Sequence, residues 1–456
     1  MNFDHARWQR RLDEFRAARH VPGAALAVLV DGEIHELASG VLHRGTGVEA
    51  TPDSVFQSGS IAKVYTATLV MQLVDAGQLR LDSRVADLLP GFELADGELA
   101  KNVTVGQLLS HTSGIAGDFT RDTGRGDDCL ARYVEACREV GRDCPPETVV
   151  SYASTGYAIL GRIVEVLTGQ TWDNALRERI FEPLGLEHSM TLPEEALRFR
   201  VAMSHLGELG TDPEPAPVWD MLPRSGGPYG RVLFTAADLI RFARMHLENG
   251  LAPDGTRVLS AESAAVMRQH VMDTPDTWSF MTSGWGYGWA LYDWDGVAGY
   301  GHDGASGGQF SYLRVVPGRG FAAALLTNGG EATSFFVDLF QELLGDLAGV
   351  RMPDIFAPAA EPPAVDVAPL AGTYEREGVR LTIGERDGTP WVRAELIGGM
   401  ADYSPPLEAE LVPVSDTVLA MPGMGPVSAP WLPLVFGTLP DGRPYVYFGM
   451  RAAPRV

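Results

Sequence analysis

Ser60 and Lys63 stand three residues apart, and a hydroxyl and an amine at that spacing can together do nucleophilic chemistry. They lie in Phe56-Gln57-Ser58-Gly59-Ser60-Ile61-Ala62-Lys63, after which Val64, Leu69, Val70, Leu73 and Val74 recur at helical spacing as far as Gly77. Residues i and i+3 share a helix face, so the lysine amine reaches back to the serine. A serine hydroxyl is a poor nucleophile until a base takes its proton, and a desolvated lysine can be neutral enough to do so. At a helix start, Ser60 also has unpaired backbone N–H groups and the positive dipole end beside any oxyanion formed there. A helix cap followed by a surface lysine would show the same spacing.

Two further segments follow in order. Ser151-Tyr152-Ala153-Ser154 precedes a helical pattern of Ile159, Leu160, Ile163, Val164, Val166 and Leu167. Gly301-His302-Asp303-Gly304-Ala305-Ser306-Gly307-Gly308 precedes a β-like run from Phe310 to Val316. The order Ser-x-x-Lys, Tyr-x-Asn, then Lys-Thr-Gly or His-x-Gly resembles that of the penicillin-binding-protein and class C β-lactamase superfamily. Val21-Pro22-Gly23-Ala24, Leu108 to Gly114, Pro183-Leu184-Gly185-Leu186 and Thr235 to Leu239 look like further landmarks of it, from about residue 10 to about residue 350.

That resemblance implies an α+β fold, with an antiparallel sheet built from both chain ends, a helical subdomain beside it and the catalytic cleft between. It casts Ser60 as nucleophile, Lys63 as proton acceptor and Tyr152 as a phenol near Ser60 that passes protons to the leaving group. A buried aromatic anchor is the other reading of Tyr152. Two fixed donors are needed for the oxyanion, and the matching pair is the backbone N–H groups of Ser60 and Ala305, the latter on an edge strand. Gly304 and Gly307 are then expected where a substrate backbone approaches closely. Asp303 is expected as a loop residue or substrate contact.

Two departures bear on the substrate. His302 stands where penicillin-active enzymes usually have lysine, so a fixed cation is replaced by a group that titrates near neutral pH. Ser154 replaces the usual Asn, and its shorter side chain with one hydroxyl does not reproduce the Asn contact to an acyl-side amide, so such an acyl chain is expected to be held differently. His-x-Gly occurs among the family's esterases, D-amino-acid amidases and peptide-processing acyltransferases. His111, in His-Thr-Ser-Gly, falls in a structural loop of the family. Trp285, Tyr287 and Trp289 alternate at strand spacing, fitting either a pocket lining or core. No cofactor or metal is implied.

The 456 residues are 45% hydrophobic and 21% charged, ordinary for a globular chain and enough for one large core plus a smaller one. A net charge of −23 without a basic cluster argues against nucleic acid. The start, Met1 to Leu12, reads as an amphipathic helix without the apolar segment of a signal peptide, and no window has the length of a membrane span. A cytoplasmic location is therefore expected. Cys129, Cys137 and Cys144 lack zinc spacing; three reduced thiols are expected, a disulfide between two of them being the alternative.

Asp31-Gly32 between Ala24–Val30 and Ile34–Ser39 marks a hairpin. Helical patterns fill about 60 to 250, β-like runs return near 287–293, 310–316 and 321–327, and Phe335–Leu347 reads as a helix. The expected division is a catalytic domain over 1–352, a proline-rich linker over 353–369 and a β-rich domain over 370–456. This last part resembles the lipocalin-like barrel that some superfamily members carry. Arg443 and Arg451 are the cations such a barrel can offer a carboxylate, though each also fits a surface arginine. Folded over the cleft, the β domain would restrict water, and its removal is expected to leave acylation intact. The partners implied are a small or peptidyl acyl donor and an amine acceptor, with the oligomeric state open. Acyl transfer from an ester, thioester or activated amide to an amine is the leading reading, the layout resembling stand-alone penicillin-binding-protein-type thioesterases and biosynthetic transacylases. Hydrolysis of an ester or D-amino-acid amide follows, then β-lactamase or D,D-peptidase activity, then a non-catalytic scaffold or sensor.

Overall fold

The computed structural model describes residues 3–401, 404–423 and 429–456. The N-terminal helix spans His5–Ala18, capped by the Asp4 carboxylate, which accepts from Arg7 N at 3.0 Å. Met1 and Asn2, which the sequence reading included, lie outside the described residues. The strand Gly23–Val30 is apolar throughout and buried at every position, as a strand covered on both faces must be. Asp31 and Gly32 follow with φ of +51° and +81°, the backbone of a tight hairpin turn, and the chain returns as Glu33–His43.

The main sheet has nine strands, all antiparallel. Their order is Val48–Glu49, Glu33–His43, Gly23–Val30, Phe321–Thr327, Gln309–Val316, Val297–Ser306, Ala290–Trp294, Gly284–Trp285, Met272–Asp273. Early and late segments of the chain meet where Gly23–Val30 pairs with Phe321–Thr327, so both ends do build the sheet. The N-terminal helix and Ala332–Ala348 pack on one face; Ala62–Asp75, Ser154–Thr168 and Ala236–Leu247 belong to the core on the other.

The strand Val297–Ser306 is not an edge strand along its whole length. Ala290–Trp294 pairs with it only as far as Gly301, while Gln309–Val316 continues alongside to Ser306. From His302 onward one side is therefore unpaired by any strand, and the turn carrying Ser60 packs against it. Gly307 and Gly308, with φ of +52° and +102°, make the tight turn into the next strand.

Residues 353–369 run without helix or strand, as their prolines require, but the segment is fastened down. Phe356 is buried against Trp278, and Val367 enters the C-terminal core. The C-terminal β-rich part forms two antiparallel sheets. One comprises Gly372–Arg376, Val379–Arg386, Thr389–Leu396 and Leu407–Glu410; the other comprises Val412–Ser415, Val418–Pro422, Trp431–Thr438, Pro444–Phe448 and Arg451–Pro454. A bridge between Tyr374 and Arg455 joins them, around a core of Leu381, Ile383, Val392, Leu419, Leu434 and Val446. This part is no detachable cover. Tyr447, Met450 and Ala452 are buried in the same cluster as Tyr152 and Trp285, and burying Met450 alone contributes about 1.5–3 kcal/mol.

Among the described residues, no helix is long and apolar enough to cross a membrane. All three cysteines are buried as free thiols.

Candidate active site

Ser60 occupies a single 3-10 turn, Gly59–Ile61, that runs directly into the helix Ala62–Asp75. Gly59 takes φ +52°, and a Cβ there would sit 2.3 Å from Ala305 N. A Cβ on Gly304 would sit 1.9 Å from the Ser58 carbonyl oxygen. Two glycines thus let the serine turn and the free strand edge touch backbone to backbone. At Gly304, where a close approach is expected, the protein's own Ser58 makes one. Gly307 serves the hairpin turn instead: a Cβ there would meet only Met221 Sδ, at 3.5 Å.

Lys63 is fully buried, with Nζ 3.2 Å from Ser60 Oγ and donating to the Tyr229 carbonyl at 2.9 Å. Burial, reinforced by the charge of Arg451 and opposed by Asp118, holds its pKa well below that of an ordinary lysine. In the neutral state the amine keeps the Tyr229 bond and turns its lone pair to the serine hydroxyl, the arrangement of a general base.

Tyr152 precedes the helix Ser154–Thr168, and its ring centroid is 4.6 Å from Lys63 Nζ. It is buried, and desolvation raises its pKa, so the phenol keeps its proton. Its hydroxyl lies 3.5 Å from His302 Nε2. His302 Nδ1 is 2.6 Å from the Asp303 carbonyl, which can only accept; Nδ1 therefore carries the hydrogen and Nε2 is an acceptor for the phenol. His302 is fully buried among Phe280, Trp285 and Tyr152.

This corrects the titration expected of His302. Burial, with Lys63 adding to it, pushes the imidazole down to about 3, so it stays neutral wherever the protein is folded at ordinary pH. No limb near neutral pH is expected from it. His302→Leu, which has no acceptor, should lower acylation roughly tenfold through the phenol's lost acceptor while leaving the limb positions unmoved. A neutral-pH limb that vanishes in that variant, in a profile of kcat/KM against pH, would restore a titrating His302.

The other candidates separate. Asp303 faces the cleft but is paired to buried Arg314, so it is not a free carboxylate. Ala305 and Gly304 line the cleft with Ser60. Ser154 does not line it; it is half-buried in the first turn of its helix. His111 is buried, accepts from Ala153 N through Nδ1 at 3.0 Å and packs at a tilt with its ring centroid 4.2 Å from that of Tyr152, which helps fix the tyrosine's position. Trp285 and Trp289 are buried core residues flanking a turn that contains half-buried Tyr287, so the strand-spaced trio is packing. Arg443 is on the surface with Asp441.

Arg451 is not a surface residue. It lines the cleft with Gly449 and Met450, its Cζ is 5.1 Å from the Tyr152 ring centroid, and it pairs with Asp118 at 2.7 Å. Its strand grips the tyrosine segment: Tyr152 N donates to the Met450 carbonyl, Ala452 N to Ser151 Oγ, and Tyr447 Oη to the Val150 carbonyl. Loss of the chain beyond about residue 355 would uncover Tyr152, so acylation is expected to need the C-terminal sheets, contrary to the sequence expectation. Asp118 and the Tyr229 carbonyl were not foreseen. A backbone acceptor has no residue-type signature, and Asp118 lies in a loop rich in Gly and Asp that looks like any solvated turn.

The cleft so formed has a volume of about 250 Å³ and is walled mainly by Phe280, Phe310, Tyr312, Phe336 and the C-terminal turn.

The beta-lactamase family description matches residues 8–346 of this chain. Penicillin-binding protein 4 of Amycolatopsis lactamdurans is 80% identical over 378 residues, 83% of this chain and 99% of that protein. The chain belongs to the beta-lactamase family. Its fold is beta-lactamase/transpeptidase-like with small C-terminal all-β sheets, and it is an enzyme of the family's serine-hydrolase type, acting in acyl transfer or hydrolysis. Among solved structures, SurE superposes with a TM-score of 0.76 at 29% identity over 99% of both chains, C-terminal sheets included. D-amino acid amidase from Ochrobactrum anthropi SV3 matches 71% of this family member and 90% of its own chain, at 25% identity and a TM-score of 0.59.

Proposed function

We propose that this beta-lactamase family enzyme forms an acyl-enzyme at Ser60 and passes the acyl group to an amine. Lys63 takes the Oγ proton as Oγ bonds to the acyl carbon. The backbone N–H groups of Ser60 and Ala305 hold the oxyanion. On collapse, the bond to the leaving oxygen, sulfur or nitrogen breaks and the proton reaches that atom through Tyr152. An amine nitrogen then attacks the acyl carbon and gives its proton back through Lys63. The Oγ–carbon bond breaks and Ser60 recovers its hydroxyl.

The observation that carries this reading is the 3.2 Å Ser60–Lys63 contact at the base of an apolar cleft roofed by residues 449–451. Water is the more abundant nucleophile, and the aromatic walls of Phe280, Phe310, Tyr312 and Phe336 disfavour it while admitting an organic amine. At about 250 Å³ the cleft is below the roughly 300 Å³ at which ligand pockets typically begin, so it accepts the reacting end of a larger acyl group. That end is a D-amino acyl residue: SurE has been solved with D-Leu, and the amidase relative is by its name a D-amino acid amidase. The functional division is 1–352 catalytic, 353–369 linker and 370–456 a β-rich unit that completes the site, within the cytoplasm. Hydrolysis is the second reading, favoured by the amidase likeness.

The test is partition of one acyl-enzyme. A D-leucyl thioester is offered alone and with a millimolar-range amine, and products are resolved by mass spectrometry. Amide exceeding free acid is expected when amine is present. Free acid alone at every amine concentration would make the enzyme a hydrolase.

A further inference from the structure

We infer that Arg451, held by Asp118, is the fixed cation of the active site, a positioning residue that together with Asp118 sets the pH range in which Lys63 acts as base. The inference rests on the acyl-enzyme reading above.

The third motif places a neutral imidazole where a lysine would have placed a charge, so a fixed cation facing the cleft comes from another part of the fold. Two arginines line the cleft. Arg314 is occupied by Asp303 and buried against Tyr292 and Phe336. Arg451 is the other. It enters from the last strand, just after Gly449 and Met450, whose φ of +58° and +66° make the sharp turn that aims it at the site. Arg451 and Lys63 approach the same Tyr152 ring, at 5.1 and 4.6 Å from its centroid. Three hydrogen bonds fix the Val150–Tyr152 segment to the turn and strands that carry Arg451, so the place of Arg451 beside the Tyr152 ring is built in.

Asp118 is the counterweight. One carboxylate oxygen takes Arg451 and the other Arg376 from the strand Gly372–Arg376, so one loop aspartate gathers both C-terminal sheets. Burial alone would raise its pKa, but the two arginines outweigh that and keep it charged. Around Lys63 the groups are then Asp118 favouring the ammonium, Arg451 opposing it, and the neutral side chains of His111, His302, Tyr152, Tyr157, Tyr229 and Ser60. Arg376 and Asp143 act on Asp118 from the far side. Removing either charged partner must move Lys63, and in opposite directions.

The experiment follows the rate of Ser60 adduct formation against pH by intact mass spectrometry, using an uncharged ester so that no substrate carboxylate meets Arg451. In the parent enzyme the acid limb reports loss of the Lys63 proton. Arg451→Gln should move that limb up by about one pH unit, slowing acylation about tenfold on the acid side. Asp118→Asn should move it down by a similar amount. Arg451→Lys should leave it in place, and the Asp118→Asn/Arg451→Gln pair should return it toward the parent. A merely structural role would lower rates without shifts of opposite sign. Single variants moving the limb the same way, or not at all, overturn the inference. If Arg451→Gln does not fold by circular dichroism, Asp118→Asn against Arg451→Lys decides: a downward shift in the first and none in the second supports it, anything else overturns it. Absence of an adduct in the parent enzyme instead fails the acyl-enzyme reading itself.

Discussion

Ser60→Ala is expected to lower turnover by at least about 10⁴-fold and to carry no covalent adduct, because among the described residues no other nucleophile in the cleft lies beside a desolvated amine. Lys63→Met tests the base separately. The thioether side chain nearly matches the lysine stem in volume, and the roughly 10²–10⁴-fold contribution of general-base catalysis should go. Stability should respond little. The variant removes a buried amine that burial already disfavours in its charged form, against loss of one donor to the Tyr229 carbonyl, a net change within about 1–2 kcal/mol. Intact mass after a reactive ester, with thermal melting of each variant, checks both. An adduct retained by Ser60→Ala would remove Ser60 from the chemistry.

Gly304→Ala should be nearly as damaging, though it touches no reacting atom. Its new methyl would lie 1.9 Å from the Ser58 carbonyl oxygen and 2.5 Å from Ser311 Oγ, which itself donates to that carbonyl at 2.5 Å. Backbone cannot swing aside as a flexible side chain does, so the serine turn must lift from the strand edge. Overpacking of this kind costs about 1–3 kcal/mol. A displacement of about 1 Å between Ser60 and Ala305 would slow acylation about 100-fold. Gly32→Ala is the converse control: its φ of +81° is itself unfavourable to alanine, yet nothing lies within 4 Å of the added carbon. It should lower the melting temperature and leave the acylation rate of folded protein unchanged. Equal acylation rates in Gly304→Ala and the parent would show that the turn and the strand edge do not jointly set the site.

The sequence by itself determined the local chemistry and the family's frame. Ser60 and Lys63 could be paired because a helix fixes i and i+3 on one face whatever surrounds it, and Asp31-Gly32 because only a few residue pairs tolerate two positive φ values. The order of three motifs carried the fold, and Tyr152 and His302 with it. What required the tertiary structure was every property that depends on burial and on contacts between distant segments. His302 reads from sequence as a group poised near neutral pH; enclosure by Phe280, Trp285 and Tyr152 keeps it neutral there. Gly304 reads as room for a close approach, and only the fold brings Ser58 there. Arg451, 391 positions after Ser60, reads, like Arg443, as a surface arginine or a cation offered by a covering barrel, and only the docking of the last strands on Val150–Tyr152 separates the two and brings Arg451 to the nucleophile's cleft. Periodicity reports which face of an element is apolar, but the desolvation and the neighbouring charges that set a base's strength are summed over the whole fold, and no local pattern encodes that sum.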